Sequence, residues 1–424
     1  MSGYITNDEV RASYDVIVIG GGPAGLAAAL AAHGQGASVL ILERAQELGG
    51  ILNQCIHTGF GLHEFKEELT GPEYALRFVQ RVEQSGMDLL VKAMVIELTP
   101  DRAITAATAR GMVYTRGRSV VLAMGCRERT AGAIAIPGER PGGIYTAGMA
   151  QKLANEEGYL VGKEILIYGS GDIGLIMARR LTLEGAKVKA VVEIMPASSG
   201  LPRNIAQCLD DFEIPLRLST AIQVIHGEDR VTGVTLVRVD NSRQPIAGTE
   251  SSIACDTILL SVGLIPENEL SIGAGIPLDP ITGGPLVDSS LMTRLPGIFA
   301  AGNVLQVHDI VDYVSQEARQ AGLEAARYAL MGRGGSVLIP VIAGTGIRTV
   351  VPQAIVKGGE SAILSLRSSA VFANARITIR QGDDILVRRQ FPILNPAQMV
   401  RLEIPANHLN TIEPVRIEVE EANG

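Results

Sequence analysis

Two glycine triplets of identical spacing, each followed by an acidic residue, carry most of the chemistry that this sequence announces. The first is Gly20, Gly22 and Gly25 with Glu43; the second is Gly169, Gly171 and Gly174 with Glu193. In such a triplet the first glycine permits a tight turn, the second lets backbone approach a pyrophosphate, and the third lets a helix pack closely on a strand. The N-terminus of that helix favours the phosphate charge. The acid can accept both hydroxyls of an adenosine ribose. At Glu193 it also selects, because a 2′-phosphate would be repelled, so the second site is expected to take NAD(H) rather than NADP(H). Lys187 and Lys189 are nearby charges expected to weaken that preference.

Two sites of this kind allow two nicotinamides, or one flavin and one nicotinamide. A third element points to the second arrangement. Ile298-Phe299-Ala300-Ala301-Gly302-Asn303 puts a polar side chain directly after a glycine, where it could bond the ribityl chain of a flavin or simply cap a turn. A helix expected to begin near Asp309 would aim its positive end at the flavin pyrimidine, where charge appears on reduction. FAD is therefore expected on the first triplet and NAD(H) on the second. The candidate cofactor-contacting set is completed by Pro23, Ala24, Arg44, Gly50, Ile51, Val95, Ala123, Gly125, Ile173 and Gly263.

The elements that must hold these residues are readable around them. YDVIVIG, GGPAG, LAAALAAHGQGA and SVLILER, residues 14 to 44, read as strand, turn, helix and strand; KEILIYG, SGDIG, LIMARRLTLEGA and KVKAVVEI, residues 163 to 194, repeat the sentence. Apolar runs ending in Gly125 and Gly263 look like crossing points between domains, and the strand and helix of residues 296–330 would complete the first domain after the second is inserted into it. From about residue 332 the texture changes to short β-rich runs such as RITIRQ, ILVRRQ and VRLEIP. The expected architecture is α/β: a discontinuous FAD-binding domain (1–145 and 262–332), an inserted NAD(H)-binding domain (146–261), and a small all-β C-terminal domain (333–424) serving docking or oligomerisation.

Composition agrees and excludes other classes. The 424 residues are 46% apolar but only 4% aromatic, without Trp, which suits helix-covered parallel sheets packed with Ala, Val, Ile and Leu. Thirty-seven basic residues against 45 acidic leave a formal charge of -8, and no long basic block exists to track a phosphate backbone, so nucleic acid is not an expected partner. The apolar stretch from Asp15 is interrupted by Gly20, Gly21, Gly22 and Pro23, with neither the flanks nor the cleavage pattern of a signal segment. A cytoplasmic protein without a membrane span is expected. The four cysteines, Cys55, Cys126, Cys208 and Cys255, form no CxxC pair, which argues against a zinc ribbon, a cysteine-ligated cluster or a thioredoxin-like redox pair; no metal is expected.

With both triplets and the Ala301-Gly302-Asn303 element in place, the chain resembles the two-dinucleotide-binding flavoproteins of the pyridine nucleotide-disulfide oxidoreductase class over residues 14 to about 330. The resemblance implies FAD in the first fold, NAD(P)H in the second, and a ribityl contact from an alanine-glycine-aspartate element in which Asn303 here replaces the aspartate. Members with a redox disulfide place two cysteines shortly after a Gly-Gly; here Gly49-Gly50 is followed by Leu52 and Cys55, so a disulfide relay is not expected. Cys55 as a thiolate beside the flavin and His57 as an acid or base are alternatives to a plain packed thiol and a plain histidine. PGERPGGIYTAGMAQ (Pro137–Gln151), with GGIL and GCRER, is similar to flavin-containing subunits of amine, opine and cyanide-forming dehydrogenases, and to a flavoprotein found beside glycerol-3-phosphate dehydrogenase-like proteins. That context implies a protein partner in a multi-subunit dehydrogenase. The expected activity is NADH:acceptor oxidoreduction through FAD. The alternatives are direct oxidation of an amine, an opine or glycerol 3-phosphate, and a non-catalytic scaffold or redox sensor.

Overall fold

The computed structural model describes residues 3–332, 336–409 and 411–421. The chain divides into two compact units: Met1–Cys126 with Pro266–Gly424, and Arg127–Ile265. The sequence-based boundaries at 145/146 and 261/262 both fall inside the second of these, and the one at 332/333 borders residues 333–335, outside the described residues.

The first unit opens with β1 (Ser13–Ile19), whose last four residues, Val16 to Ile19, are at most 4% exposed. That is a strand buried on both faces, as in a helix-covered parallel sheet. A glycine turn leads to α1 (Pro23–His33), whose buried side is nearly all alanine, and then to β2 (Val39–Leu42). The helix α2 (Gly71–Ser85) starts in a capping box of Thr70 and Glu73 and stops at Gly86 in the left-handed region. Strands β3 (Asp88–Leu90), β4 (Met94–Leu98), β5 (Ala103–Thr108) and β6 (Gly111–Leu122) follow. β1 pairs in parallel with β2 and β6, while β4, β5 and β6 form an antiparallel meander.

The second unit holds β7 (Ile144–Thr146), α3 (Ala147–Asn155), β8 (Glu164–Tyr168), α4 (Asp172–Leu183), β9 (Lys187–Val192), α5 (Pro202–Cys208), β10 (Leu216–Arg217), β11 (Thr220–His226), β12 (Gly233–Arg238), β13 (Ser251–Ala254) and β14 (Thr257–Leu260). Its parallel sheet runs β7-β14-β8-β9-β10, and β11, β12 and β13 make a separate antiparallel sheet. Both triplets thus sit at the carboxyl ends of parallel strands, where ligands bind in open α/β sheets.

Back in the first unit, β15 (Ile298–Ala300) adds to β6 in parallel, Ile298 opposite Val120. The helix α6 (Val311–Met331) then packs on α1 so closely that a Cβ on Gly322 would lie 2.1 Å from the Ala28 carbonyl oxygen. It starts two residues later than expected. Asp309 is held outside it, its carboxylate taken by Arg367 and by the Met399 N–H. The remaining strands are β16 (Leu338–Ala343), β17 (Ile347–Val351), β18 (Ala354–Val356), β19 (Ala362–Ser368), β20 (Phe372–Gln381), β21 (Asp384–Leu394), β22 (Val400–Ile404) and β23 (Val415–Glu421). They form two sheets, β18-β16-β23-β20-β21 and β17-β19-β22, around a core of their own that includes Leu364, Ile377, Ile379, Ile404 and Ile417.

Candidate dinucleotide-binding sites

In the first unit, the turn after β1 is one only glycine fits. Gly20 has φ +110°, and a Cβ there would lie 2.4 Å from the Ala123 carbonyl oxygen. A Cβ on Gly25 would lie 1.8 Å from the Gly20 carbonyl oxygen, the contact that seats α1 against β1. Around Gly22 there is space: a Cβ would meet only the Gly50 Cα, at 3.8 Å. Gly22 is also the N-cap of α1 and, having no side chain, leaves the helix's first amides open, with Pro23 at the first helical positions.

The Glu43 carboxylate is buried at the end of β2. Its Oε2 accepts the Gly21 N–H at 2.5 Å and its Oε1 the Ala45 N–H at 2.6 Å. A carboxylate has about four acceptor positions, so each oxygen of Glu43 keeps one. Three stretches far apart in sequence meet here. Gly49 donates to the Gly21 carbonyl oxygen at 2.9 Å, which brings Gly50 beside Gly22. A Cβ on Gly302 would lie 2.8 Å from the Ala24 Cβ, so the element after β15 packs on the first turn of α1. Other predicted residues lie further out. Ile51 is exposed, Arg44 is exposed with its Nη1 4.0 Å from Glu267 Oε1, and Val95 is buried in β4 two residues after Ala93, which donates to the Glu43 carbonyl oxygen. Gly125 has φ +73° and its carbonyl oxygen accepts the Glu267 N–H.

Behind Gly302 lies a buried polar network that the sequence reading missed. Glu317 Oε1 accepts the Gly302 N–H at 2.8 Å, and its Oε2 meets the Gln306 amide at 2.8 Å and His308 Nε2 at 3.2 Å. His308 Nδ1 faces the Gln306 carbonyl oxygen at 2.9 Å. Burial alone would raise the Glu317 carboxyl; the charge and hydrogen bond of His308, with the Gly302 and Gln306 donors, outweigh it and hold it below the usual range. Asn303 closes a turn, its Oδ1 accepting the His308 N–H at 3.0 Å while its Nδ2 reaches Cys126 Sγ at 3.5 Å. Asp312, wholly buried in the first turn of α6, accepts the N–H groups of Gly61, His63 and Glu64. No fixed spacing links these residues, since a turn separates His308 from the helix that carries Glu317. An acidic residue early in α6 was the one available hint.

None of the four cysteines is in a disulfide. Leu52 is a core residue, Cys55 Sγ lies 3.3 Å from the Ile51 carbonyl oxygen, and the His57 ring is tilted against Phe60 at 5.0 Å. Among the described residues no group of His, Cys, Asp and Glu could hold a metal ion, and no helix is long and apolar enough to cross a membrane.

The second unit repeats the construction. Gly169 has φ +96° against the Ser261 carbonyl oxygen, and a Cβ on Gly174 would lie 2.7 Å from the Ser261 Cβ. Gly171 caps α4, and Ile173 is half-buried in its first turn. Glu193, 5% exposed at the end of β9, stands as Glu43 does: Oε2 accepts the Ser170 N–H at 2.9 Å and Oε1 the Met195 N–H at 2.9 Å. It differs in one respect, because the Ser170 hydroxyl also donates to Oε2, at 2.6 Å. Gly263, with φ +104°, accepts the Arg129 N–H through its carbonyl oxygen. Lys187 and Lys189 do not act on the acid as expected. They sit toward the start of β9, about 20 and 13 Å from Glu193 at strand rise, beyond the range of screened charge, and Lys189 pairs with Glu164 at 3.1 Å.

This paired geometry has a known setting. The sequence profile of the pyridine nucleotide-disulphide oxidoreductases matches residues 14–339. The chain belongs to that family. Its members are FAD-dependent NAD(P)H oxidoreductases, and so is this protein. Relatives include an opine oxidase subunit of Agrobacterium tumefaciens (strain Ach5), 27% identical over 314 residues, 68% of this chain and 61% of that protein. Thioredoxin reductase of Listeria monocytogenes is 27% identical over 297 residues, 69% of this chain and 86% of the relative. The crystal structure of T. acidophilum thioredoxin reductase superposes with a TM-score of 0.62 at 24% identity, over 76% of this chain and all of that one, and shows the shared fold. Toward the opine oxidase protein the chain spans less than two thirds of the relative's length.

Proposed function

We propose that this oxidoreductase carries electrons between NAD(H) and a protein or small-molecule acceptor, with FAD held by the first unit and NAD(H) by the second. The residues of the first unit suit an adenine dinucleotide. Gly22 and Gly50 leave a cradle that a Cβ would fill, the uncapped start of α1 offers amides to a pyrophosphate, and Glu43 keeps two acceptor positions for ribose hydroxyls. Asn303, with its Oδ1 held by the His308 N–H, would offer its Nδ2 to the ribityl chain, and α6 would direct its positive end to the pyrimidine side.

When bound, FAD supplies the hydride and electron chemistry. The chain's part is to hold the pyrophosphates at Gly20–Gly25 and Gly169–Gly174, to orient the riboses through Glu43 and Glu193, and to keep water from the buried ground behind Gly302. The choice of NADH over NADPH rests on Glu193. Its buried carboxylate ends β9 where a 2′-phosphate would have to lie, and no lysine or arginine of that strand offsets it. The name of the opine oxidase relative, itself one part of a larger enzyme, supports a multi-protein arrangement, and a partner protein is the acceptor we favour.

Anaerobic titration of FAD-replete protein with NADH, and separately with NADPH, tests this reading. Bleaching of the oxidised flavin band by NADH at lower concentration than by NADPH is expected. A loaded flavin that neither nucleotide reduces would remove it. Glu193→Ala should shift the preference toward NADPH.

A further inference from the structure

The two acids that end their respective second strands are built alike but are not equally free. Glu43 accepts two hydrogen bonds, one on each oxygen, from Gly21 and Ala45. Glu193 accepts three, and two of them, from the Ser170 N–H and the Ser170 hydroxyl, fall on the same oxygen. With about four acceptor positions on a carboxylate, Glu43 can receive both hydroxyls of an adenosine ribose as it stands, and Glu193 only one.

We propose that Ser170 sets the strength with which the second unit holds its dinucleotide, by occupying one acceptor position of Glu193 that Gly21, its counterpart in the first unit, leaves open on Glu43. This rests on the reading of Gly169–Glu193 as the NAD(H) site. The hydroxyl is not a loose surface group. Ser170 is fully buried, and its Oγ also accepts the Ser199 N–H at 3.0 Å. Its carbonyl oxygen accepts from Ser198 Oγ at 3.3 Å, and a Cβ on Gly200 would lie 2.8 Å from that carbonyl. The segment after β9 is therefore folded onto Ser170. Asp172 Oδ1 keeps its far end there by accepting the Leu201 N–H at 2.8 Å and the Asn204 amide at 2.7 Å. Freeing the second acceptor position would require the Ser170 hydroxyl to turn away from both Glu193 and Ser199. The consequence is a division of labour: full ribose capture where the dinucleotide is a resident cofactor, and partial capture where it is a substrate that must leave after each turnover.

The test is calorimetric titration of the FAD-replete full chain with ADP-ribose and with its forms lacking the 2′- or the 3′-hydroxyl of the adenosine ribose. In the wild type, removal of one hydroxyl should weaken binding about tenfold and removal of the other should change it little, the size expected for a hydrogen bond to a charged group. In Ser170→Gly, and in Ser170→Ala, which keeps the Cβ, both removals should weaken binding about tenfold. A general loosening of the segment after β9 would shift all three affinities together and leave their ratios unchanged, so equal ratios in wild type and variants would overturn the proposal. Absence of ADP-ribose binding to wild type and variants, with flavin retained and circular dichroism unchanged, would instead reject the NAD(H) reading of the site, and the proposal with it.

Discussion

His308 and Glu317 meet inside the first unit, Nε2 to Oε2 at 3.2 Å with side-chain exposures of 2% and 9%. The same carboxylate receives the N–H of Gly302, the glycine that packs on the first turn of α1. The pair therefore ties the start of α6 to the ground of the first glycine turn.

The folded-state carboxyl of Glu317 lies below its ordinary value, so the stabilisation is complete above the unfolded-state pKa and is lost as pH falls through the folded one. Thermal melts of the wild type should lose stability progressively below about pH 5. Glu317→Gln should be less stable by about 3 kcal/mol at pH 7, because an amide has one acceptor oxygen where the carboxylate serves the Gly302, Gln306 and His308 nitrogens, so a buried donor is left unsatisfied, and its acid limb should be flatter. Parallel melting-temperature curves for the two proteins would show that the pair does not carry the acid sensitivity.

A pair of glycine variants separates fold from ligand. Gly25→Ala sets a Cβ 1.8 Å from a backbone oxygen, which no side-chain movement relieves, and should cost about 3 kcal/mol. Gly22→Ala meets only the Gly50 Cα at 3.8 Å, so its apoprotein should melt within a few degrees of wild type. Its affinity for added FAD should nonetheless fall at least about tenfold, because the new methyl occupies the approach of the pyrophosphate. Equal FAD affinity in Gly22→Ala and wild type would move the phosphate elsewhere.

The glycine turns, the two acids and the helices they start were legible because each role leaves a local mark: a positive φ, a missing Cβ, an acid at a strand end. The third element was legible in place but not in detail. Asn303 is where the sequence puts it, yet its Oδ1 is already engaged by the His308 N–H, a bond across a turn that no periodicity encodes. Lys187 and Lys189 misled because closeness in sequence is not closeness along an extended strand, where six residues cover about 20 Å. The Ser170 hydroxyl was hidden in an x position of the triplet pattern, where spacing says nothing about what the side chain reaches.

Thiol reactivity should divide by location. Burial pushes the Cys255 thiol up to about 11, aided by Asp256, and burial also raises Cys208. Native protein treated with iodoacetamide at pH 8 should be labelled at the part-exposed Cys55 and Cys126, with Cys208 and Cys255 labelled only after unfolding. Peptide mass spectrometry reads all four, and rapid native labelling of Cys255 would contradict the burial described for it.

Cys55→Ser tests whether a thiol takes part in turnover. The flavin itself carries the electrons in the proposed reaction, and Cys55 Sγ rests against the Ile51 carbonyl oxygen. NADH-to-dye activity should stay within about tenfold of wild type, a change in barrier of about 1.4 kcal/mol. Near-total loss in folded, FAD-loaded protein would restore a thiol step.

Arg367 joins the C-terminal strands to this same region. From β19 its guanidinium donates to the Val307 carbonyl oxygen at 3.0 Å, to the Asp309 carboxylate, and to the Ala397 carbonyl oxygen at 2.5 Å. It therefore fixes both neighbours of His308. The planar fork of arginine suits this multiple contact and a lysine would not reproduce it. In Arg367→Ala the core around Ile377, Ile379 and Ile417 should remain folded, since Arg367 is not among its apolar members. The turn from Gly302 to Asp309 should open more often. Hydrogen exchange should then show faster loss of protection at the His308 amide, whose partner is Asn303 Oδ1, with amides of β20 and β23 unchanged. FAD should dissociate about tenfold faster, as for loss of one charge-assisted hydrogen bond, and Arg367→Lys should recover only part of that retention. Unaltered exchange at His308 in Arg367→Ala would show that the turn holds its shape without the C-terminal strands, leaving Asn303 and Glu317 to position it unaided.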